Sequence, residues 1–220
     1  AGQMGFPVGR INLLVKSAIL HDIGALKLQQ LPDAEDLDDG TKEVVKKNTQ
    51  ETLDRYGDLD EEVLRLITQM QELYTRESDA EFPAGLKESV NANILYVADA
   101  YDRMTAMKSF EEPTSEVKAV RELLADEERY NKKIVNALIH GISILYPGVC
   151  VELSNGEKGL VITGNEENIF EPTVLDFRNN NLYDLSDPSV KQTVEIADVM
   201  KTMDNRIKLD KSLLEEYQAN

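Results

Sequence analysis

The chain has 220 residues, of which 41% are apolar, and this suffices for one large domain or for one domain with a small appendage. Its 41 acidic and 24 basic residues give a formal net charge of −17. A surface with this charge repels nucleic-acid phosphates and anionic membranes, so we expect neither to be a partner.

Cysteine usage and hydropathy indicate the compartment. The single cysteine, Cys150, excludes an internal disulfide and suits a reducing cytosol. No stretch reaches the roughly 20 apolar residues that span a bilayer. Residues 1–5 lack the basic and apolar regions of a signal peptide and resemble a cut end, which leaves open whether other domains precede Ala1. We therefore expect a cytoplasmic protein without membrane insertion.

The first 145 residues have the periodicity of an all-helical domain. Residues 8–27 are predicted as one helix, because apolar side chains recur at helical spacing and Gly24 marks its end. These side chains are Ile11, Leu14, Val15, Ala18 and Ile19. The acidic stretch 31–40 fails the spacing of a calcium-binding EF-hand loop and is predicted as a solvated loop. Further helices are predicted over about 41–56, 59–76, 89–107, 114–126 and 129–146, with a loop over 77–87.

The pattern changes from helical to alternating at Tyr146. Val149, Val151 and Leu153 alternate with polar residues, and Asn155-Gly156 is typical of a hairpin turn. Further strands are predicted at 160–162, 173–177, 182–185 and 194–196, followed by an amphipathic helix at 204–218. The predicted fold is mainly α. It comprises a helical domain over 1–145, a small antiparallel β subdomain over 146–203 and a C-terminal helix over 204–220.

The adjacent residues His21 and Asp22 are the first candidate site. A His-Asp pair can serve a two-metal centre, in which the imidazole binds one ion and the carboxylate bridges both. The chain contains only one other histidine, His140, which is predicted to face solvent on its helix. The alternative is a histidine that donates to a backbone carbonyl, with Asp22 pairing locally. The scarcity of imidazoles favours this alternative.

Asp99 is a further candidate metal ligand on a predicted helix. Arg103 follows four residues later, a spacing at which an aspartate and an arginine form an ion pair on the helix surface. The sequence leaves both interpretations of Asp99 open.

Four segments resemble, in order, the motifs of the HD-GYP phosphohydrolases, bacterial enzymes that hydrolyse cyclic di-GMP. Residues 20–24 resemble the HD-x-G segment, residues 81–87 the G-Y-P-x-G-L-K loop and residues 97–105 the A-D-x-Y-D-x-x-T helix. Residues 146–177 are similar to the β appendage that ends these domains. The resemblance covers most of residues 10–200 and implies an HD-type helical bundle with a small C-terminal antiparallel β appendage.

Within this resemblance, the metal-ligand positions that match are His21, Asp22 and Asp99. The other chemical positions depart from the family. Ala25 stands where the family has lysine, and no histidine occurs near Asn48 and Thr49. The paired histidines before a glutamate map to Met70 and Gln71, and the G-Y pair of the loop is Glu81-Phe82. The implied site is therefore vestigial or holds a single divalent ion such as manganese, iron or magnesium, and no other cofactor is expected.

These losses imply a degenerate HD-GYP-like domain that is catalytically inactive and acts as a regulatory, interaction or sensing module in bacterial signalling. The alternative is a metal-dependent phosphohydrolase with a reduced metal site. The candidate ligand-binding residues are Lys27, Phe82, Lys87 and Arg103, which are few for a dianionic dinucleotide, so cyclic di-GMP binding is disfavoured. A protein partner is expected, and the amphipathic C-terminal helix leaves a homodimer open.

Overall fold

The computed structural model describes residues 1–28, 39–56, 59–74, 89–107 and 112–200 of the chain. These residues divide into two units. The first takes in the described parts of Ala1–Thr114 together with Glu122–Leu138, and the second takes in Ser115–Arg121 together with the described chain from Ile139 onward. The loop predicted over 77–87 and the helix predicted over 204–218 lie outside the described residues.

Apolar residues at helical spacing form helices through the first two-thirds of the chain, as predicted. A short 3-10 turn at Gly2–Met4 precedes the first helix. The helices are α1 (Val8–Leu20), α2 (Asp39–Tyr56), α3 (Glu61–Tyr74), α4 (Val90–Thr105), α5 (Glu116–Ala125) and α6 (Lys132–Ile142). The mainly helical class is thus confirmed, with boundaries within about four residues of those predicted for α2 to α6.

The prediction of a single helix over 8–27 is wrong. α1 ends at Leu20, Asp22 leaves the helical region with φ −117° and ψ 14°, and a 3-10 helix follows at Ile23–Lys27. The physical reason is a competing hydrogen-bond acceptor. The amide of Gly24 donates to the hydroxyl of Thr49 on α2 at 3.0 Å, and this bond replaces the one that a continuing α-helix would make.

The core of the first unit lies where α1, α2 and α3 meet. Leu53, Val63 and Ile67 are buried there, and Leu20 from the end of α1 packs against them. Met70 on α3 is 1% exposed, which confirms its predicted place in the apolar stripe of that helix. Each such side chain contributes about 1.5–3 kcal/mol when fully buried. This core fixes the end of α1, and with it His21, beside α3.

Fewer side chains of α1 are buried than its apolar pattern predicts. Leu14 and Ser17 are buried, whereas Val15 is 49% exposed and Ile19 is 68% exposed. Ala18 is exposed as well, so three of the five apolar residues that indicated this helix lie on its outer side.

The second unit is built on a five-stranded antiparallel sheet with the strand order β4-β3-β2-β1-β5. Its strands are β1 (Cys150–Leu153), β2 (Lys158–Thr163), β3 (Thr173–Asp176), β4 (Leu182–Asp184) and β5 (Ile196–Val199), with a short helix α7 (Pro188–Lys191) before β5. The small antiparallel appendage is therefore confirmed, although its last strand begins at Ile196 rather than at 194.

The hairpin predicted at Asn155-Gly156 joins β1 and β2. Gly156 has φ +80°, which glycine adopts without strain, and Leu153 donates its amide to Glu157 across the loop at 2.8 Å. The loop therefore also includes Ser154 and is one residue longer than the two-residue turn that the dipeptide indicates.

In the part of the chain that the structure describes, no helix has the length and apolarity required to cross a membrane.

Candidate functional site at the His21–Gly24 turn

His21 and Asp99 come together although they are far apart in the chain. The end of α1 positions His21, and the third turn of α4 positions Asp99. The imidazole Nε2 lies 3.6 Å from Asp99 Oδ1, and the side chains are only 13% and 16% exposed. The other ring nitrogen, Nδ1, lies 2.7 Å from the carbonyl oxygen of Ala18. This contact is the backbone hydrogen bond that the sequence offered as the alternative to a metal ligand.

Asp99 also contacts a cation from its own helix. Arg103 Nε lies 2.8 Å from Asp99 Oδ2, at the (i, i+4) spacing, and the arginine side chain is about half exposed. The ion pair, one of the two interpretations of Asp99 that the sequence left open, is present. His21, Asp99 and Arg103 therefore form a row of three groups in which the carboxylate lies between the imidazole and the guanidinium.

Asp22 lies on the opposite edge of the imidazole from Asp99. Its Oδ1 is 3.9 Å from His21 Nδ1, and its side chain is 65% exposed. The three predicted ligands are thus neighbours in pairs, but the two carboxylates approach different ring nitrogens. Throughout the described ranges, no group of three histidine, cysteine, aspartate or glutamate side chains is placed to hold a metal ion.

Burial lowers the pKa of the His21 imidazole, but four other contacts together outweigh it. The hydrogen bond to Asp99, the hydrogen bond to Ala18 and the negative charges of Asp22 and Asp99 all favour the protonated ring. The net result is a pKa above the ordinary value for histidine. A protonated ring donates from both nitrogens, which matches an oxygen acceptor on each side.

The turn from His21 to Gly24 is in close backbone contact with α2. A methyl group on Gly24 would lie 2.2 Å from the carbonyl oxygen of Val45 and 2.4 Å from the backbone nitrogen of Thr49. Only glycine fits this approach, which explains the glycine of the HD-x-G segment in physical terms. Besides the Gly24–Thr49 bond, Asn48 Nδ2 donates to the Gly24 carbonyl at 3.4 Å.

A third neutral side chain holds the same turn from α3. Gln71 is 6% exposed, and its Nε2 donates to the backbone carbonyl of His21 at 3.2 Å. Sequence reasoning identified Asn48, Thr49 and Gln71 only as places where histidines are missing. Their hydrogen bonds to the turn are long-range and leave no local signal in the sequence.

The residues present do not fit a two-metal centre. Where such a centre needs imidazole lone pairs, Asn48 and Gln71 direct amide N–H groups at backbone carbonyls, and these groups cannot ligate a cation. Met70 presents a buried thioether, a ligand that suits softer ions than manganese, iron or magnesium. The guanidinium of Arg103 already neutralises Asp99. The interpretation of His21, Asp22 and Asp99 as a vestigial or single-ion set stays a prediction.

Of the four predicted ligand-binding residues, the structure describes Lys27 and Arg103. Lys27 Nζ lies 3.3 Å from the carbonyl oxygen of Asn48 and 3.8 Å from Glu51 Oε2. Arg103 contacts Asp99. Phe82 and Lys87 lie outside the described residues. Both described cations are therefore already paired with carboxylates of their own domain.

His140 is exposed on α6, as predicted.

Comparison with known families agrees with this geometry. Residues 2–104 match the family model of the HD domain, a helical domain, and this range contains His21, Asp22, Asp99 and Arg103. A search of curated proteins finds no match to the chain. The family match suggests a metal-dependent phosphohydrolase-type fold. Residues 2–104 are thus similar to the HD domain, and this similarity supports the HD superfamily for the helical part of the chain.

Proposed function

We propose that the chain is a degenerate HD-GYP-like domain that does not hydrolyse cyclic di-GMP and that acts as a regulatory, interaction or sensing module in bacterial signalling. The proposal combines the HD match with the four segments that resemble HD-GYP motifs. It accounts for a site that keeps His21, Asp22 and Asp99 but lacks the further histidines and the lysine of the family.

The single observation that carries the proposal is that Asn48, Thr49 and Gln71 are hydrogen-bonded to backbone groups and do not face a metal site as histidines would. All three are hydrogen-bonded to the backbone of the His21–Gly24 turn: Asn48 and Gln71 donate to its carbonyls, and Thr49 accepts from its amide. Hydrolysis of a phosphodiester by a metal centre needs an activated hydroxide and neutralisation of transition-state charge. Side chains that support the backbone of the turn supply neither.

Charge supports the same conclusion. Cyclic di-GMP is a dianion, and the chain carries a net charge of −17. The two described cations nearest the turn, Lys27 and Arg103, are engaged with Glu51 and Asp99. Because both side chains already form ion pairs, a phosphate of the dinucleotide would have to displace a carboxylate to bind either of them.

The test is a hydrolysis assay with cyclic di-GMP and the purified chain in manganese or iron(II). We expect no turnover above the metal-only background. Turnover that is lost in His21→Ala and in Asp99→Asn but kept in His140→Ala would overturn the proposal. His140 is the matched control, because it is the only other histidine of the chain and is exposed on α6.

A second candidate function is favoured by one distance. His21 Nε2 and Asp99 Oδ1 are 3.6 Å apart, and an imidazole nitrogen and a carboxylate oxygen are both ligands of divalent ions. One divalent ion bound by both groups would make the chain a phosphohydrolase with a reduced metal site. Two measurements test this candidate: the number of ions bound per chain, and hydrolysis of a simple phosphodiester such as bis(p-nitrophenyl) phosphate. One ion per chain together with hydrolysis would support it, provided that the ion and the activity are both lost in Asp99→Asn.

A third possibility is that the chain binds cyclic di-GMP without hydrolysing it, and a binding experiment distinguishes this from the first two. Calorimetry with cyclic di-GMP at high micromolar concentration would report it directly. We expect no heat of binding, since Lys27 and Arg103 are already paired.

A further inference from the structure

The β1–β2 hairpin carries the one asparagine of the sequence that is followed by glycine, Asn155-Gly156. Ser154, Asn155 and Gly156 are all exposed, and a methyl group at Gly156 would have nothing within 4 Å. The side-chain amide of an asparagine can be attacked by the backbone nitrogen of the next residue, and glycine obstructs that attack least because it has no side chain. The hairpin therefore exposes to water two groups that can react with each other.

The backbone of the loop polarises the side-chain amide of Asn155. The amide of Glu157 donates to Asn155 Oδ1 at 3.0 Å. This oxygen gains negative charge when a nucleophile adds to Cγ, and backbone N–H groups at such distances stabilise the oxyanion of an acyl transfer. The Glu157 amide is thus placed to lower the barrier to attack on Asn155 Cγ.

One contact opposes the reaction. The Gly156 nitrogen, which is the nucleophile, donates its proton to the carbonyl oxygen of Leu153 at 2.9 Å. Attack requires this bond to open, so the folded hairpin reacts more slowly than an unfolded chain. The bond lies in an exposed turn, and hydrogen bonds in such turns open at small free-energy cost.

We infer that Asn155 is a site of spontaneous deamidation in which water is the only co-reactant. The Gly156 nitrogen gives up its proton and bonds to Asn155 Cγ, the bond from Cγ to the side-chain nitrogen breaks, and ammonia leaves. Water then opens the resulting succinimide ring. Cleavage of the ring between its nitrogen and Cγ leaves aspartate, and cleavage between its nitrogen and the backbone carbonyl carbon leaves isoaspartate. Both products form whether or not the His21–Gly24 turn has activity.

Isoaspartate changes the length of the loop, because its backbone runs through the former side chain and includes one more methylene group. The loop is tied at both ends: Leu153 donates its amide to the Glu157 carbonyl at 2.8 Å, and Ser154 and Glu195 exchange hydrogen bonds of 2.8 Å and 3.0 Å. β1 lies between β2 and β5 in the sheet. Since loop length fixes the register of a hairpin, we expect isoaspartate to weaken both pairings of β1 next to the loop.

The β3–β4 hairpin provides a contrast within the same sheet. Asn179 is exposed as well, but the residue that follows it is Asn180, whose side chain crowds the attacking nitrogen. Asn179 Nδ2 also donates to Oδ2 of the buried Asp176 at 3.2 Å, and this bond to a carboxylate holds the nitrogen that would have to leave. Exposure alone therefore does not make an asparagine of this chain reactive.

Peptide mapping of the purified chain, kept for weeks at mildly alkaline pH and physiological temperature, tests the site. We expect Asn155 to lose its amide well before Asn179 does, with isoaspartate among the products. An enzyme that methylates isoaspartyl carboxylates, supplied with a labelled methyl donor, is the probe for isoaspartate. Asn155→Gln is the matched control: it keeps the amide but would have to close a six-membered ring, so we expect the reaction at this position to be lost.

Three results of this mapping overturn the inference. The first is an Asn155 that keeps its amide in the folded chain while a sample in urea loses it. The second is loss of the amide at equal rates from Asn155 and Asn179. The third is an equal yield of isoaspartate at position 155 or of methyl label in Asn155→Gln and in the unsubstituted chain.

The effect on the sheet is measured separately. Ion exchange isolates the deamidated chains by their added negative charge, and denaturant unfolding compares them with Asn155→Asp. This variant keeps the loop length and an oxygen acceptor for Glu157, so we expect it to unfold with the unsubstituted chain and the isoaspartate form to unfold at lower denaturant concentration. Unfolding of the isoaspartate form together with Asn155→Asp would overturn the proposed weakening of β1.

Discussion

The His21–Gly24 turn and the outer side of α1 are adjoining regions with opposite character. In the turn, polar groups converge and are already matched to one another: Gln71 with a backbone carbonyl, Thr49 with a backbone amide and Asp99 with Arg103. On the outer side of α1, large apolar side chains are exposed.

This contrast shows where the chain retains capacity to bind. A site that catalyses phosphoryl chemistry keeps lone pairs and cations available for its substrate and metal. The lone pairs and cations of the described side chains around the turn are already bound to other groups of the same unit. On the outer side of α1, by contrast, Val8, Val15 and Ile19 expose apolar surface whose burial is favourable. The pairing of the polar groups around the turn supports the proposal that the chain does not hydrolyse a phosphodiester.

The largest expected effect comes from breaking the turn with Gly24→Ala. The added methyl group would lie 2.2 Å from the Val45 carbonyl and 2.4 Å from the Thr49 nitrogen, both of which are backbone atoms that cannot rotate away. We expect the free energy of unfolding to fall by about 3 kcal/mol, at the upper end of overpacking costs. Denaturant unfolding followed by circular dichroism measures this.

Gly9→Ala is the matched control for that substitution. Nothing lies within 4 Å of a methyl group at position 9, which is inside α1. We expect a stabilisation of about 0.5–1 kcal/mol from the helix propensity of alanine. If the two variants unfold at the same denaturant concentration, the turn is not packed as described.

A smaller effect is expected from Thr49→Val. This variant keeps the shape of the fully buried side chain but removes the acceptor of the Gly24 amide, which costs about 1–3 kcal/mol for a buried donor left unpaired. Thr49→Ser retains the hydroxyl and should keep most of the stability. A loss as large in Thr49→Ser as in Thr49→Val would assign the effect to packing instead.

The smallest effect concerns the protonation of His21. Its pKa is raised in the folded chain, so its contribution to stability is complete below about pH 6.5 and is lost as pH rises through the folded value. In a His140→Gln background, NMR titration observes His21 alone. We expect a pKa above the ordinary histidine value and a lower one in Asp99→Asn. A value below the ordinary one would show that burial outweighs the carboxylates.

Local patterns predicted most of the elements and offered two contacts of the site as alternatives, the bond from His21 to a backbone carbonyl and the Asp99–Arg103 pair. Helical and alternating periodicities gave the class of each segment, and the Asp99–Arg103 pair followed from its spacing alone. Periodicity could not tell which apolar residues of α1 face inward. Val15 and Ile19 belong to the same pattern as Leu14, yet only Leu14 meets the core.

The details of the turn depend on residues that are distant in sequence. Gly24 could be read as a helix end, but the reason for it is the approach of α2, 25 residues later. Gln71 reaches His21 across 50 residues. No local rule predicts such pairs, and the resemblance identified these positions only by the histidines that they lack.

The number of metal ions bound per chain decides whether the residues around the His21–Gly24 turn form a two-metal centre. The chain would be purified without chelators, equilibrated with manganese or iron(II), freed of unbound ions by gel filtration and analysed by mass spectrometry for metal per chain. A site that does not fit two metals predicts at most one ion per chain. Two ions per chain, lost on substitution of His21 or Asp99, would contradict the account.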